Sequence, residues 1–145
     1  MLITKGERME KNLFDLIIEL KRGCLADEAY IRTMCDISLS EYKGLMQISI
    51  KESITCNTLS HKMGLSPSRG SRIIDHLVRR GYFSRSVHPS DRRSFVISLS
   101  TEGIKIRKRI EQEKNLYEEK IRKKFSQEEL DIIKEALDLI VDIFD

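Results

Sequence analysis

The chain has 145 residues, of which 40% are hydrophobic and 34% charged, with a formal net charge of +3. This length suits one compact domain, or a small domain with an appended assembly region. No apolar run approaches the roughly 18 residues of a membrane span, and the N-terminal sequence MLITKGERMEKN lacks the apolar core of a signal peptide. Three scattered cysteines without a CxxC pair suggest neither a disulfide framework nor a zinc finger. We therefore expect a cytoplasmic protein with no membrane partner.

The N-terminal part of the chain predicts two helices. Apolar residues at helical spacing predict the first over residues 10–23, with Gly23 as its end. Ser40 is the predicted N-cap of a short second helix. The β-branched stretch ITCNT that follows predicts a brief extended connector.

Two short helices joined by a tight turn are predicted next. The first covers residues 58–63 and is closed by Gly64. The second covers residues 67–80, with Ser66 as its N-cap, Pro67 at its first position and Gly81 directly after its end. Two helices separated by three residues that include a glycine match the helix-turn-helix unit.

A helical wheel divides the second of these helices into two sides. Gly70 lies on the apolar side, where it would let the backbone approach the preceding helix closely. Short and cationic side chains on the other side suit the reading of base edges in the major groove, while the far end of the helix meets phosphate. The residues on that side are Ser68, Arg72, Asp75, His76 and Arg79, with Arg69 at its shoulder. An ordinary solvated helix face is the alternative interpretation.

A β-hairpin is predicted to follow, with strands over residues 82–87 and 94–99. A helix-turn-helix with a two-stranded wing is a winged helix, and Asp91, Arg92 and Arg93 lie at the tip of this wing. We predict that Arg93 enters the minor groove, that Asp91 holds the Arg93 guanidinium, and that Arg92 points to phosphate or solvent. A tip kept soluble by charge and a guarded edge strand are the alternatives.

Positive charge is concentrated in this middle segment. Residues 57–100 contain eight Lys or Arg and two Asp, a net charge of +6, which leaves −3 for the rest of the chain. A basic segment with acidic flanks is typical of a nucleic-acid-binding module carried by a separate scaffold. A winged-helix module that binds protein without specific DNA binding is the alternative function.

Residues 101–145 predict two further helices, the second opened by a capping box from Ser126 to Glu129. Their apolar stripes, together with that of the N-terminal helix, exceed what a small winged helix can bury, so we expect a homodimer. A self-contained monomeric bundle is the alternative. The predicted fold is mainly α with a small β-wing. Its parts are an N-terminal dimerisation helix (1–33), a winged helix-turn-helix DNA-binding domain (34–100) and C-terminal dimerisation helices (101–145).

Other chemistry has little support in the sequence. The GxSxG, P-loop, HExxH and Rossmann fingerprints do not occur, and the three histidines have no ligand-spaced partners. We therefore expect neither an enzyme nor a bound metal or cofactor. Cys24 is the one candidate for redox sensing, although an inert buried cysteine is the more common case.

Several motifs resemble those of the MarR family of winged helix-turn-helix transcriptional regulators, over nearly the whole chain. They are LSEYKGLMQI, TLSHKMGLSPSRGSRIIDHLVRRGYFSR, DRR and LSTEG, in that order. Asp91-Arg92-Arg93 fits the D-x-R wing motif of the family, and the Leu99-to-Gly103 segment lies where the family commonly has L-T-x-x-G.

The resemblance implies an obligate homodimer whose N- and C-terminal helices interlock and which binds a pseudo-palindromic DNA operator. It also implies a repressor released by a small-molecule or redox signal. Arg69-Gly70 stands where the family often has Ser/Thr-Val in the recognition helix, so the operator sequence does not follow from the resemblance.

Overall fold

The computed structural model describes residues 11–144, which form six helices and three strands. The helices are α1 (Leu13–Cys35), α2 (Leu39–Met46), α3 (Cys56–Lys62), α4 (Pro67–Arg79), α5 (Thr101–Arg122) and α6 (Gln127–Val141), and the strands are β1 (Ser53–Thr55), β2 (Phe83–Val87) and β3 (Phe95–Leu99). The predicted mainly helical fold with a small β-wing is confirmed. The chain divides into two compact units, and the second begins at Lys108, within α5.

The first helix is longer than predicted. It continues through Gly23 and ends at Cys35, while its predicted start at residue 10 lies outside the described residues. An interior glycine costs a helix only about 1 kcal/mol relative to alanine, which a long helix tolerates. The end is set instead by Asp36, whose left-handed backbone (φ 53°) lets its N–H bond back to the Arg32 and Thr33 carbonyls.

The prediction of Ser40 as the cap of the second helix is wrong, because Ser38 caps α2. The Ser38 hydroxyl accepts from the Glu41 N–H at 3.2 Å, and the Glu41 carboxylate accepts from the Ser38 N–H at 2.7 Å. This reciprocal capping box satisfies two backbone donors, an advantage that Ser40 lacks.

The extended connector before α3 is a strand of the sheet. β1 pairs antiparallel with β3, with Ile54 opposite Ile97, and the strand order is β1-β3-β2. Thr55 ends the strand and caps α3 by accepting from the Thr58 N–H at 3.2 Å. For that reason α3 begins at Cys56 and not at Thr58 as predicted.

The turn chemistry of the helix-turn-helix is as predicted. Gly64, after α3, has a φ of +67°, and Gly81, after α4, has a φ of +80°. Ser66 caps α4, with Pro67 at its first position. On the inner side of α4, Ile74 and Leu77 are fully buried. The apolar side predicted from the wheel therefore faces the core.

Gly70 lies at the closest approach of α3 and α4, as predicted. A Cβ atom at this position would be 1.9 Å from the Ser60 Oγ and 2.9 Å from the Ser60 Cα. The Ser60 side chain is buried, and its hydroxyl donates to the Cys56 carbonyl at 2.8 Å. Because a backbone atom of α3 is among the contacts, rotation of Ser60 alone would not make room for a methyl group.

Among residues 11–144, no helix combines the length and the apolar character that spanning a membrane requires.

We expect Gly70→Ala to lower the free energy of unfolding by about 1–3 kcal/mol, the usual cost of overpacking, in spite of the better helix propensity of alanine. Chemical denaturation followed by circular dichroism measures this change. Ser71→Ala, at the exposed next position of α4, is the matched control and should alter stability by less than about 0.5 kcal/mol. Equal stability of the two variants would contradict the close helix approach.

Candidate nucleic-acid interface

The exposed side of α4 carries four of the predicted DNA-binding residues. Ser68, Arg69, Arg72 and Arg79 are all exposed, while the opposite side of the helix is packed on the core. Ser68 lies in the first turn, where the Ser66 and Ser68 hydroxyls are 3.3 Å apart. This arrangement leaves the N-terminal half of α4 free to enter a groove.

Two residues that the wheel places on this side are engaged within the chain. The His76 Nε2 lies 2.9 Å from a carboxylate oxygen of Glu41 in α2. Asp75 forms an ion pair with Arg85 of β2. The wheel alone could not show this, because both partners are distant in sequence.

The eight basic residues of segment 57–100 fall into two groups. Three are paired with carboxylates of the chain: Lys62 with Glu52 at 3.0 Å, Arg80 with Glu41 at 3.1 Å, and Arg85 with Asp75. The other five are exposed and form no ion pair with the residues that the structure describes. These five, which we call the free arginines, are Arg69, Arg72, Arg79, Arg92 and Arg93.

The wing tip is organised by Asp91, although not in the way predicted. Its carboxylate accepts from the backbone N–H of Arg93 at 2.9 Å and makes no ion pair with a guanidinium in the described chain. Its carbonyl accepts from the Ser94 N–H at 3.1 Å, which closes a turn around Arg92 and Arg93. A carboxylate two residues before a backbone donor forms an Asx-turn, and this local bond replaces the predicted guanidinium contact.

A buried carboxylate fixes the far end of α4. Glu41 is only 4% exposed, and its carboxylate lies against His76 in the last turn of α4 and Arg80 directly after that helix. Burial opposes ionisation, but the Ser38 N–H, His76 and Arg80 outweigh it, so the pKa of Glu41 is lower than its usual 4.5. Arg80 also donates to the Asp36 carbonyl at 3.0 Å and lies over the Tyr82 ring. Burial lowers the pKa of Arg80, but nearby groups, the Glu41 carboxylate first among them, together raise it by more, so the pKa of Arg80 is above its usual value.

The end of the wing is joined to the start of α5. Ser100 donates its hydroxyl hydrogen to the Gly81 carbonyl, and its oxygen accepts from the Gly103 N–H at 3.0 Å. A Cβ atom on Gly103 would lie 1.9 Å from the Tyr82 carbonyl oxygen. The LSTEG motif thus supplies a helix cap and a glycine that permits close contact, both structural roles.

Comparison with known proteins agrees with this geometry. A sequence model of the MarR family matches residues 37–95. The chain is 28% identical over 105 residues to YfiV of Bacillus subtilis, an uncharacterised HTH-type transcriptional regulator, and the match covers 72% of this chain and 66% of that protein. The chain is therefore similar to transcriptional regulators of the MarR family.

Solved structures share the fold of this chain. RV1404 from Mycobacterium tuberculosis superposes with a TM-score of 0.82 at 22% identity, covering 92% of this chain and 94% of that one. A mutant of MarR from Escherichia coli superposes with a TM-score of 0.68 at 22% identity, covering 97% and 98% of the two chains.

The structure describes all three cysteines. Cys24 is exposed on α1, Cys35 is buried, and burial raises the pKa of the Cys56 thiol. Within the described part of the chain, no three His, Cys, Asp or Glu residues are grouped so that they could hold a metal ion.

Sequence analysis missed two residues that position α4, Glu41 and Arg85. In the sequence, Glu41 belongs only to the start of a predicted helix, and Arg85 belongs only to a predicted strand. Their partners, His76 and Asp75, are two of the residues that the wheel assigned to the exposed side of α4. The one available signal was for Glu41: it stands three residues after Ser38, the spacing of a capping box.

We expect Glu41→Gln to destabilise the fold at neutral pH by about 1–3 kcal/mol, because the buried hydrogen-bonded charge is lost. Since folding lowers the pKa of Glu41, its contribution to stability is complete above pH 4.5 and disappears as the pH falls further. The stability difference between parent and variant should therefore shrink on acidification, which denaturation at a series of pH values measures. Glu52→Gln, at the exposed pair with Lys62, should have a much smaller effect. A Glu41→Gln deficit that is independent of pH would contradict the ionised cluster.

Asp91→Ala and Asp91→Asn should separate the turn-forming role of Asp91 from its charge. Both variants remove a negative charge, but only asparagine retains the oxygen that accepts from the Arg93 N–H. We expect Asp91→Ala to weaken binding to operator DNA and Asp91→Asn to bind at least as tightly as the parent. Fluorescence anisotropy at one salt concentration measures both affinities. Tighter binding by Asp91→Ala would refute the turn-forming role.

Proposed function

We propose that this chain is a sequence-specific DNA-binding repressor that binds a pseudo-palindromic operator as a homodimer. The observation that carries the proposal is the set of free arginines. Three of the eight basic residues in segment 57–100 are paired with carboxylates, and the five left over lie on the exposed side of α4 and at the wing tip. These are the two surfaces that a winged helix presents to DNA.

The two groups of free arginines suit different grooves. Ser68, Arg69 and Arg72 lie in the N-terminal half of α4, where they would meet base edges in the major groove. Arg79, near the end of the helix, would meet phosphate. Arg93 and Arg92 would reach the flanking minor groove and its phosphates from the wing, since a narrow minor groove attracts arginine. Asp91 would take part by holding the turn.

Exposed apolar side chains support the homodimer. Leu13 and Phe14 of α1 are exposed, as are Leu139 of α6 and Ile143 and Phe144 just beyond it. Large apolar groups concentrated on terminal helices mark surfaces that another chain covers. A second copy is the simplest partner, because a palindromic operator requires a two-fold axis. A homodimer therefore accounts for the exposed apolar side chains of the terminal helices and for the two half-sites expected in the operator.

Repression and its release belong to the same proposal. A bound dimer would cover a promoter and exclude polymerase in the cytoplasm. A small molecule, or an oxidant acting at the exposed Cys24, would release it. No catalytic role is included, because the family and its HTH-type relatives are regulators.

We expect the purified protein to select an operator with half-sites roughly 10 bp apart, and its affinity to fall steeply with salt as the free arginines displace counterions. Arg72→Ala should change which bases are tolerated, at a cost of about 1–3 kcal/mol. Arg79→Ala should weaken binding to all sequences alike. Selection from a random DNA library, followed by titrations at several salt concentrations, measures both effects. Salt-insensitive binding, or no binding to DNA, would favour a protein-interaction module instead.

Sedimentation at micromolar concentration should show a dimer of the 16.9 kDa chain, because the terminal helices expose more apolar surface than a monomer tolerates. Replacing Leu139 and Ile143 of the α6 region by lysine should shift the species towards monomer and weaken operator binding. Replacing the exposed Glu119 of α5 by lysine is a control for the added charge. A parent protein that sediments only as a monomer would remove the homodimer from the proposal.

A further inference from the structure

Arg85, in the middle of β2, connects the wing to α4. Its guanidinium forms an ion pair with the Asp75 carboxylate of α4. The same guanidinium lies over the ring of Phe95 in β3, 5.3 Å from the ring centroid. We call these three residues the helix–wing bridge. They join three elements through a single side chain.

The bridge lies where the packed part of the wing ends. Closer to the core, Phe83, Ile97 and Leu99 are buried. Beyond Arg85, both Val87 and Phe95, which face each other across the strand pair, are exposed. Among the described residues, Arg85 is the outermost residue of β2 for which the structure shows a bond to α4. The tip that carries Arg92 and Arg93 therefore extends from a base that the bridge holds.

We propose that the helix–wing bridge sets the position of the wing-tip arginines relative to the exposed side of α4. Asp75 and Arg85 are then positioning residues for DNA recognition and do not themselves read bases. This inference rests on the proposed function. A module that enters two grooves at once binds more tightly when its two contact surfaces are held in place before binding, since less conformational freedom is lost.

The bridge is too exposed to be important for stability. The Asp75 and Arg85 side chains are 47% and 29% exposed, and pairs of this kind contribute little to folding. Variants of Asp75 should therefore fold normally. An effect of Asp75 on DNA binding would then report the position of the wing and not the integrity of the domain.

Because Asp75 is negatively charged, the inference and a purely electrostatic account predict opposite changes in DNA affinity when it is removed. Asp75 is one of the two acidic residues of segment 57–100, so a purely electrostatic account predicts tighter DNA binding when it is removed. Loss of the bridge predicts weaker binding. Glu102→Ala is the matched control, because it also removes an exposed, ion-paired carboxylate from the same unit and changes the net charge equally.

The first experiment needs no DNA. Amide hydrogen exchange should be faster in Asp75→Ala than in the parent for residues 84–96, with exchange in α3 and α4 and the melting temperature unchanged. The Glu102→Ala control should exchange like the parent in the wing. Unchanged exchange in the wing of Asp75→Ala would overturn the inference.

The second experiment is a double-mutant cycle on the selected operator. Asp75→Ala should weaken binding about fivefold, and Glu102→Ala should not weaken it. In the background of Arg93→Ala the Asp75→Ala loss should be much smaller, because the wing contact that it positions is already gone. Tighter binding by Asp75→Ala, or full additivity with Arg93→Ala, would overturn the positioning role. If the parent selects no operator, the proposed function fails, and the inference about DNA recognition falls with it, while the exchange measurement still tests whether the bridge holds the wing.

Discussion

A carboxylate that is removed from water requires donors or cations around it, and in this fold Glu41 obtains them from the Ser38 N–H, from His76 of α4 and from Arg80 directly after α4. The same carboxylate caps α2 through the Ser38 N–H, so one side chain fixes the start of α2 and the last turns of α4 together. Arg80 extends this connection to the Asp36 carbonyl and the Tyr82 ring. The orientation of α4 depends on this cluster at one end and on the contact between Gly70 and Ser60 near the other. The placement of every exposed side chain of α4 follows from these two constraints.

Local signals in the sequence were sufficient for the helix-turn-helix. A Ser-Pro pair that opens a helix and glycines that close it act through the backbone of a few consecutive residues, so they are readable without tertiary structure. Where two local signals competed, the prediction failed. Ser38 and Ser40 are both acceptable caps, and the choice depends on Glu41 returning a bond to the Ser38 N–H. Likewise Gly23 could end a helix, but only the left-handed backbone at Asp36 does so.

The exposed side of α4 could be predicted from the sequence, but the ion pairs that engage some of its charged residues could not. The wheel correctly placed Ser68, Arg72 and Arg79 on the exposed side of α4. It could not show that His76 and Asp75 are held by Glu41 and Arg85, because these pairs join residues that are distant in sequence and meet only after folding. The same limit explains β1, whose pairing with β3 depends on a strand that lies beyond two helices. At the wing tip the prediction differed for another reason: the Asp91 carboxylate accepts from the backbone N–H of Arg93, and the prediction had considered only its guanidinium.

The exposed residues at the start of α4 have a consequence for how this protein can diverge. Arg69 and Arg72 form no ion pair in the described chain, and the Ser68 hydroxyl lies 3.3 Å from the neighbouring Ser66 hydroxyl. Replacing them would therefore carry almost no folding penalty, whereas Gly70, between them, is held to one residue type by α3. Duplicated copies of the gene could acquire new target sites through these three positions while inheriting an intact scaffold. In this helix, residues that can change DNA recognition thus lie directly beside a residue that the fold requires.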